Sequence, residues 1–142
     1  MHVVDRPPRA LILSPNRPDH APVVAAARAA LQRAEVEPIQ LDPAIAPGGS
    51  FQDALARAVD EADFVIVDLA PGSSWSLFEA GYVLASRKPK LLLVHRPELG
   101  SELPFDLFSY EVVFYSLDNL DSLFALIDPA VRSLVQRVTL AA

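Results

Sequence analysis

One carboxylate stands out because of the residues that surround it. Between Leu69 and Ser86, Glu79 is the only formally charged side chain. The segment reads as a loop followed by a helix that is apolar nearly all round, and an acid in such a helix loses solvation when it is buried. Burial raises the pKa of a carboxylate, and active sites use acids perturbed in this way. Glu79 is therefore the candidate catalytic residue.

Residues near Glu79 in the sequence could bind a substrate. Helical spacing places Trp75 and Tyr82 on the same side of the helix as Glu79. An aromatic ring beside a carboxylate suits a base stacked next to a ribose. The helix start also offers free amides and hydroxyls for a ribose or a phosphate, the hydroxyls being those of Ser73, Ser74 and Ser76.

Purely structural roles explain the same residues. Glu79 could be an acid satisfied by an arginine or by the backbone, with Trp75 and Tyr82 in the core. Ser73 or Ser74 is a good helix N-cap whatever the function. The bare sequence leaves both interpretations open.

The elements that must position Glu79 are strands alternating with helices. Apolar runs predict five strands, at residues 9–14, 36–41, 63–69, 90–95 and 111–115. Amphipathic or capped segments predict helices at residues 20–34, 51–61, 75–87, 118–127 and 130–138. Asp19 is the expected cap of the first helix, and Ser50 is that of the second. The last two segments are either separate helices or one helix bent at Pro129.

This alternation predicts an α/β domain with a parallel sheet covered on both sides. We expect a flavodoxin-like strand order, 2-1-3-4-5, in which a ligand crevice opens beyond the carboxyl ends of the first and third strands. Loops 14–19 and 70–75 meet there. Candidate substrate-binding residues in this region are Ser14, Pro15, Asn16 and Asp68, although Asp68 fits a simple turn-capping role equally well.

The stretch around Glu79 resembles the TIR-domain pattern, in which a hydrophobic strand leads to S-x-W-x-x-x-E or a close variant. Here the strand is Ala62 to Leu69 and the motif is Ser74 to Ala80. The stretch is also similar to the pattern D-x-G-T-x-x-E-x-G-x-A of nucleoside 2-deoxyribosyltransferases, with Gly81 as its second glycine. It has the spacing of P-G-G-x-G-T-x-x-E in lysine-decarboxylase-like nucleotide phosphoribohydrolases as well. Ser73 and Trp75 depart from the Asp and Gly of those last two patterns.

These resemblances imply an N-glycosidase or ribosyltransferase, because enzymes of all three families break an N-glycosidic bond and place a glutamate at this position. Glu79 would stabilise or capture C1′ of the sugar. Ser14, Asn16 and Asp68 would position sugar hydroxyls. A second segment, Leu103 to Leu107, looks like one in related nucleotide-binding proteins and adds Phe105, which could stack the base, and Asp106. A nucleoside, a nucleotide or NAD would be the substrate, with no cofactor.

Composition limits the other possibilities. The chain has 142 residues, no cysteine and a net charge of -6. We expect a tail at residues 1–8, one domain at 9–142, and a cytoplasmic location without a leader or membrane anchor.

Scattered basic residues disfavour nucleic acid as a partner. His2, His20 and His95 lack metal-ligand spacing, so no metal site is predicted. A homo-oligomer is expected, because a domain this small has shallow crevices.

Two further hypotheses remain open beside the enzyme. The first is a non-catalytic TIR-like module that binds a nucleotide or assembles with partners, since many TIR domains are adaptors. The second is a structural subunit with a filled crevice, which would show Glu79 buried against an arginine.

Overall fold

Five strands form one parallel sheet in the order β2-β1-β3-β4-β5, as the sequence predicts. This is a computed structural model that describes residues 6–15, 17–41, 50–69, 74–95 and 110–141, without the side chains of 74–76 and 141. The strands are β1 (Arg9–Leu13), β2 (Glu37–Gln40), β3 (Phe64–Leu69), β4 (Lys90–His95) and β5 (Glu111–Tyr115).

Within the described residues, four α-helices connect or follow the strands. They are α1 (Ala21–Arg33), α2 (Phe51–Glu61), α3 (Ser74–Ala85) and α4 (Leu123–Ala141). A 3₁₀ turn at Pro18–His20 precedes α1. The predicted cap of α2 is confirmed, because the Ser50 hydroxyl accepts a hydrogen bond from the Asp53 amide at 3.0 Å.

One predicted helix cap and one predicted helix start are wrong. Asp19 does not cap α1, because its carboxylate pairs with Arg17 at 2.7 Å and the helix begins after His20, which makes no side-chain cap. The last helix begins at Leu123 rather than near residue 118, since a bridge between Ser116 and Asn119 holds that segment in a turn. From Leu123 onward the chain forms one helix that contains Pro129.

Alternation along the strands divides the core into two layers. On β3, whose six residues are all buried, Phe64 and Ile66 face the layer covered by α1 and α4. Val65 and Val67 face the opposite layer, which also contains apolar residues of α2 and α3. Successive strand residues point to opposite faces of the sheet, so the side chain of Asp68 points to the face covered by α1 and α4.

Candidate active site

Glu79 lies in the second turn of α3, on the side of the helix that packs toward the sheet. Its side chain is 9% exposed, and its helical neighbours Ala80 and Val83 are fully buried in the α2/α3 layer. α3 begins after the carboxyl end of β3, and helical side chains tilt toward the helix N-terminus. Glu79 is therefore directed toward the edge of the sheet where the strands end.

Burial makes Glu79 a weaker acid than an ordinary glutamate. It raises the pKa of the carboxyl to about 7 from an ordinary value of 4.5. Within the described ranges, no hydrogen bond or ion pair to Glu79 offsets the loss of solvation. The arginine partner that a structural role for Glu79 would require is thus not found among these residues. A carboxyl of this pKa is an acid and a base in comparable amounts at neutral pH.

A second group of polar side chains lies at the same edge of the sheet, on the α1/α4 side. Asp68 accepts hydrogen bonds from the Ser14 hydroxyl at 2.8 Å and from Nδ1 of His20 at 2.7 Å. The Tyr115 hydroxyl donates to the other carboxylate oxygen of Asp68 and lies 3.2 Å from Nδ1 of His20. The rings of His95 and Tyr115 are stacked, with centroids 5.4 Å apart. We name Ser14, His20, Asp68, His95 and Tyr115 the buried polar cluster.

The buried polar cluster changes the expected role of Asp68. Both of its oxygens bind groups of the same chain, and its side chain is 1% exposed. Asp68 therefore joins separate segments of its own chain, and its predicted contact with a sugar hydroxyl stays a prediction. Asp68 and Glu79 also approach the edge from opposite faces of the sheet. His20 is 1% exposed as well, and its Nε2 has no hydrogen-bond partner among the described residues.

Sequence reasoning did not identify three members of the cluster. His20 and His95 lack metal-ligand spacing, and Tyr115 belongs to no motif, so spacing along the chain does not single them out. The sequence signal that could have identified them is the alternation of side chains between the two faces of each strand. Asp68 lies one residue before the end of β3, and His95 and Tyr115 end β4 and β5. All three share the alternation of the residues that face α1 and α4.

The other predicted binding residues are only partly placed. Ser14 and Asp68 are brought together, and Pro15 lies beside them, where its carbonyl accepts from the Arg17 amide at 2.8 Å. Ser74 and Trp75 belong to the first turn of α3, but their side chains are outside the description. Four predicted residues lie wholly outside the described ranges: Asn16, Ser73, Phe105 and Asp106.

Tyr82 does not share the buried side of α3 with Glu79. Its side chain is 39% exposed, and it lines an open groove between α2 and α3 together with Val59 and Arg87. That groove lies toward the amino edge of the sheet, where both helices end. The expectation that Tyr82 and Glu79 lie on the same side of α3 is wrong. Residues at positions i and i+3 of a helix are about 60° apart around its axis, which is enough to place Tyr82 beyond the edge of the buried face.

Lys90 holds the C-terminal end of α3 in place. Its ammonium donates to the carbonyls of Val83 and Ser86, each at 2.8 Å, and burial lowers its pKa. Carbonyls in the last turn of a helix lack partners within the helix, so a cation there stabilises the helix end. The helix that carries Glu79 is thereby anchored to β4.

The described residues contain no cluster of three or more His, Asp or Glu side chains that could hold a metal ion. In the same part of the chain, no helix combines the length and the apolar character needed to cross a membrane.

Comparisons with solved structures show the fold. The TIR domain of the Toll-related receptor TRR-2 from Hydra magnipapillata superposes with a TM-score of 0.62 at 16% identity, covering 89% of this chain and 96% of that one. The CMP N-glycosidase BcmB from Clostridium botulinum gives 0.63 at 17% identity, covering 86% and 98%. A chain from the complex of histidine kinase ThkA with response regulator TrrA gives 0.53 at 22% identity, covering 89% and 97%.

No protein-family model matches the sequence, and no curated protein matches it. At these identities the superpositions confirm the expected flavodoxin-like, TIR-like fold.

Proposed function

We propose that this protein breaks the N-glycosidic bond of a nucleoside or nucleotide and that Glu79 is its catalytic carboxylate. The observation that carries the proposal is the state of Glu79: it is nearly buried, and it has no partner among the described residues. Burial of an acid without compensation costs stability. Such a residue is readily explained if the acid is used in a reaction.

The chemistry follows from the charge that develops on the sugar. When the C1′–N bond breaks, its electron pair leaves with the base and C1′ acquires oxocarbenium character. The carboxylate of Glu79 stabilises that positive charge or forms a bond to C1′. Water then supplies a hydroxyl to C1′, which breaks the C1′–carboxylate bond where one has formed and regenerates Glu79. The remaining proton of the water goes to the departing base or to solvent. In a transfer reaction, a second base takes the place of water.

Similarity of fold supports this choice of reaction. One structural neighbour is named a CMP N-glycosidase, and its fold covers most of this chain. We therefore place a pyrimidine nucleotide such as CMP, along with NAD, first among the substrates to test.

Substitution of the carboxylate tests the proposal. Purified protein is incubated with CMP, NAD and a panel of nucleosides and nucleotides, and release of the free base is measured by chromatography. We expect Glu79→Gln to lower the rate on the order of a hundredfold or more, because one electrostatic partner of the transition state is lost. Glu61→Gln, which changes an exposed glutamate at the end of α2, is the matched control and should keep the wild-type rate.

The pH profile provides an independent signature. Since the ionised carboxylate is the active form, kcat/KM should rise with pH and level off above about 7, the pKa of Glu79. Base release by Glu79→Gln at the wild-type rate would contradict the proposal, as would no release from any compound of the panel by the wild type.

A second function is favoured by the buried polar cluster. Asp68 binds groups of its own chain through both of its oxygens. Among the predicted acids that the structure describes, Glu79 is therefore the one without a partner. Another structural neighbour is the TIR domain of a receptor. A module that binds a nucleotide without cleaving it would show nucleotide binding by calorimetry that survives Glu79→Gln, with no base released by the wild type.

A further inference from the structure

Nε2 of His20 is a buried nitrogen that the described part of the chain does not use. The His20 side chain is 1% exposed, and Nε2 has no hydrogen-bond partner among the described residues. A buried polar atom left without a partner costs stability. A hydrogen bond from outside the chain offsets that cost, and water molecules bind at such atoms in many proteins. Nε2 is therefore a binding point, and its burial favours a ligand as small as water.

The other ring nitrogen of His20 is held by Asp68. Nδ1 lies 2.7 Å from a carboxylate oxygen of Asp68, and because an ionised carboxylate only accepts hydrogen bonds, Nδ1 is the donor. In the neutral ring, Nε2 then carries the lone pair and can accept a proton. The hydroxyls of Ser14 and Tyr115 hold Asp68 in turn. A histidine oriented by a carboxylate in this way is the arrangement of a general base.

His20 and Glu79 reach the carboxyl edge of the sheet from opposite sides. Asp68, which holds His20, points to the face covered by α1 and α4. Glu79 belongs to α3, which packs on the other face of the sheet. A sugar bound beyond the ends of β1 and β3 lies between the two side chains. When a carboxylate has bonded to C1′, water must attack C1′ from the opposite side. His20 is on the side that this attack requires.

We propose that His20 is the general base that binds the attacking water through Nε2 and takes its proton, so that the reaction is a hydrolysis. This inference rests on the glycosidase proposal and adds a second catalytic residue to it. Asp68 is a positioning residue, because it acts through His20.

The proposed step is balanced in protons and bonds. The base has already left with the electron pair of the C1′–N bond, and Glu79 is bonded to C1′. Nε2 of His20 takes one proton from water while the oxygen of that water bonds to C1′ and the bond between C1′ and Glu79 breaks. The carboxylate is restored, and the proton passes from the ring to the departed base or to solvent.

His20→Asn tests the proposal because it separates the roles of the two ring nitrogens. The asparagine amide can still donate to Asp68 from the place of Nδ1, but nothing remains at the place of Nε2. CMP and NAD are each mixed with the protein, and base release is followed from the first turnover. We expect the variant to release about one equivalent of base per protein and then to turn over on the order of a hundredfold more slowly than the wild type.

Two further measurements separate a lost general base from a damaged site. Intact-mass spectrometry of His20→Asn should show the chain with the sugar attached, and the double variant that also carries Glu79→Gln should not. Sodium azide attacks without giving up a proton, so it should restore the turnover of His20→Asn and yield a sugar azide. Glu61→Gln is the control, which should behave as the wild type and gain nothing from azide.

Circular dichroism and urea unfolding establish that His20→Asn is folded. If it does not fold, His20→Gln replaces it, since its amide reaches the place of Nε2 but cannot take up a proton. We expect the same slow turnover and the same restoration by azide.

Two results would overturn the role of His20 while leaving that of Glu79 intact: turnover of the His20 variant at the wild-type rate, and slow turnover that azide does not restore. In both cases Glu79→Gln remains inactive. A wild type that releases no base from any compound would instead overturn the glycosidase proposal, and the role of His20 with it.

Discussion

At the scale of single residues, Glu79 combines two properties that are separable by experiment. Its burial costs stability when the carboxyl is ionised, and the same ionised form is the one proposed to act on the sugar. A structural acid would behave in the opposite way, since removing it would leave a buried partner unsatisfied and lower stability. Stability measurements therefore bear on function even before a substrate is known.

Stability of the wild type should decline with pH in the window set by Glu79. Its pKa is about 7 in the folded chain and near 4.5 when solvated, so between these values the folded state binds more protons than the unfolded state. The stabilisation is fully present below about pH 4.5 and is lost as the pH rises through about 7. Glu79→Gln cannot ionise and removes this decline.

We expect Glu79→Gln to match the wild type near pH 4 and to exceed its free energy of unfolding by about 1 kcal/mol at pH 8, after allowance for screening by solvent. Urea unfolding at fixed protein concentration across this pH range measures the difference. Glu61→Gln should show no such divergence. A Glu79→Gln variant that was less stable than the wild type at pH 8 would identify an ion pair for Glu79 and favour the structural hypothesis.

At the scale of elements, the end of α1 shows how one residue closes a helix. The Val36 amide donates to the Leu31 carbonyl at 2.9 Å, and the Glu35 amide donates to the Gln32 carbonyl at 3.1 Å. These two bonds form a Schellman motif, and Leu31 and Val36 both lie in the core beneath it. Glu35 stands at the position that glycine usually occupies, with a φ of 59° in the left-handed region.

Replacing Glu35 with glycine should therefore stabilise the fold. The left-handed conformation costs a residue with a Cβ about 1–2 kcal/mol, and glycine loses part of that gain through the greater freedom of its unfolded chain. We expect Glu35→Gly to raise the free energy of unfolding by about 0.5–1 kcal/mol, as measured by chemical denaturation. Glu37→Gly is the contrasting control, because it places glycine in the edge strand β2 and should destabilise. Equal effects of both changes would contradict the cap assignment.

At the scale of the whole molecule, the buried polar cluster joins segments that are distant in the chain. Asp68 of β3 binds Ser14 after β1, His20 before α1 and Tyr115 of β5, across sequence separations of 54, 48 and 47 residues. The cluster therefore ties the ends of several strands to one another at the edge where the candidate site lies. Removing any one of these three donors leaves a buried carboxylate partly unsatisfied, which costs stability.

Loss of one donor should be costly. We expect Tyr115→Phe to lower the free energy of unfolding by about 1–3 kcal/mol, because it removes a hydroxyl that donates to a nearly inaccessible carboxylate. Tyr82→Phe, at an exposed tyrosine of α3, should have little effect. Urea unfolding of both variants provides the comparison. If Tyr115→Phe were as stable as the wild type, the cluster would not hold the sheet edge together.

The sequence by itself determined the order of the elements and the isolation of Glu79. Strand and helix periods are local, and short runs rich in β-branched residues, such as Phe64–Leu69, are typical of a strand buried on both faces. The alternation of strands and helices then leaves few topologies, because parallel crossovers are right-handed and neighbouring elements pack together. An acid within an apolar helix is likewise visible without coordinates.

Only the tertiary structure decided which side chains meet. That Asp68 is held by Ser14, His20 and Tyr115 depends on strand register and parity across the sheet, which spacing along the chain does not encode. The exposure of Tyr82 and the open space beside Gly81 depend on which side of α3 the sheet covers. The physical reason is that periodicity is a property of one element, whereas burial is a property of at least two in contact.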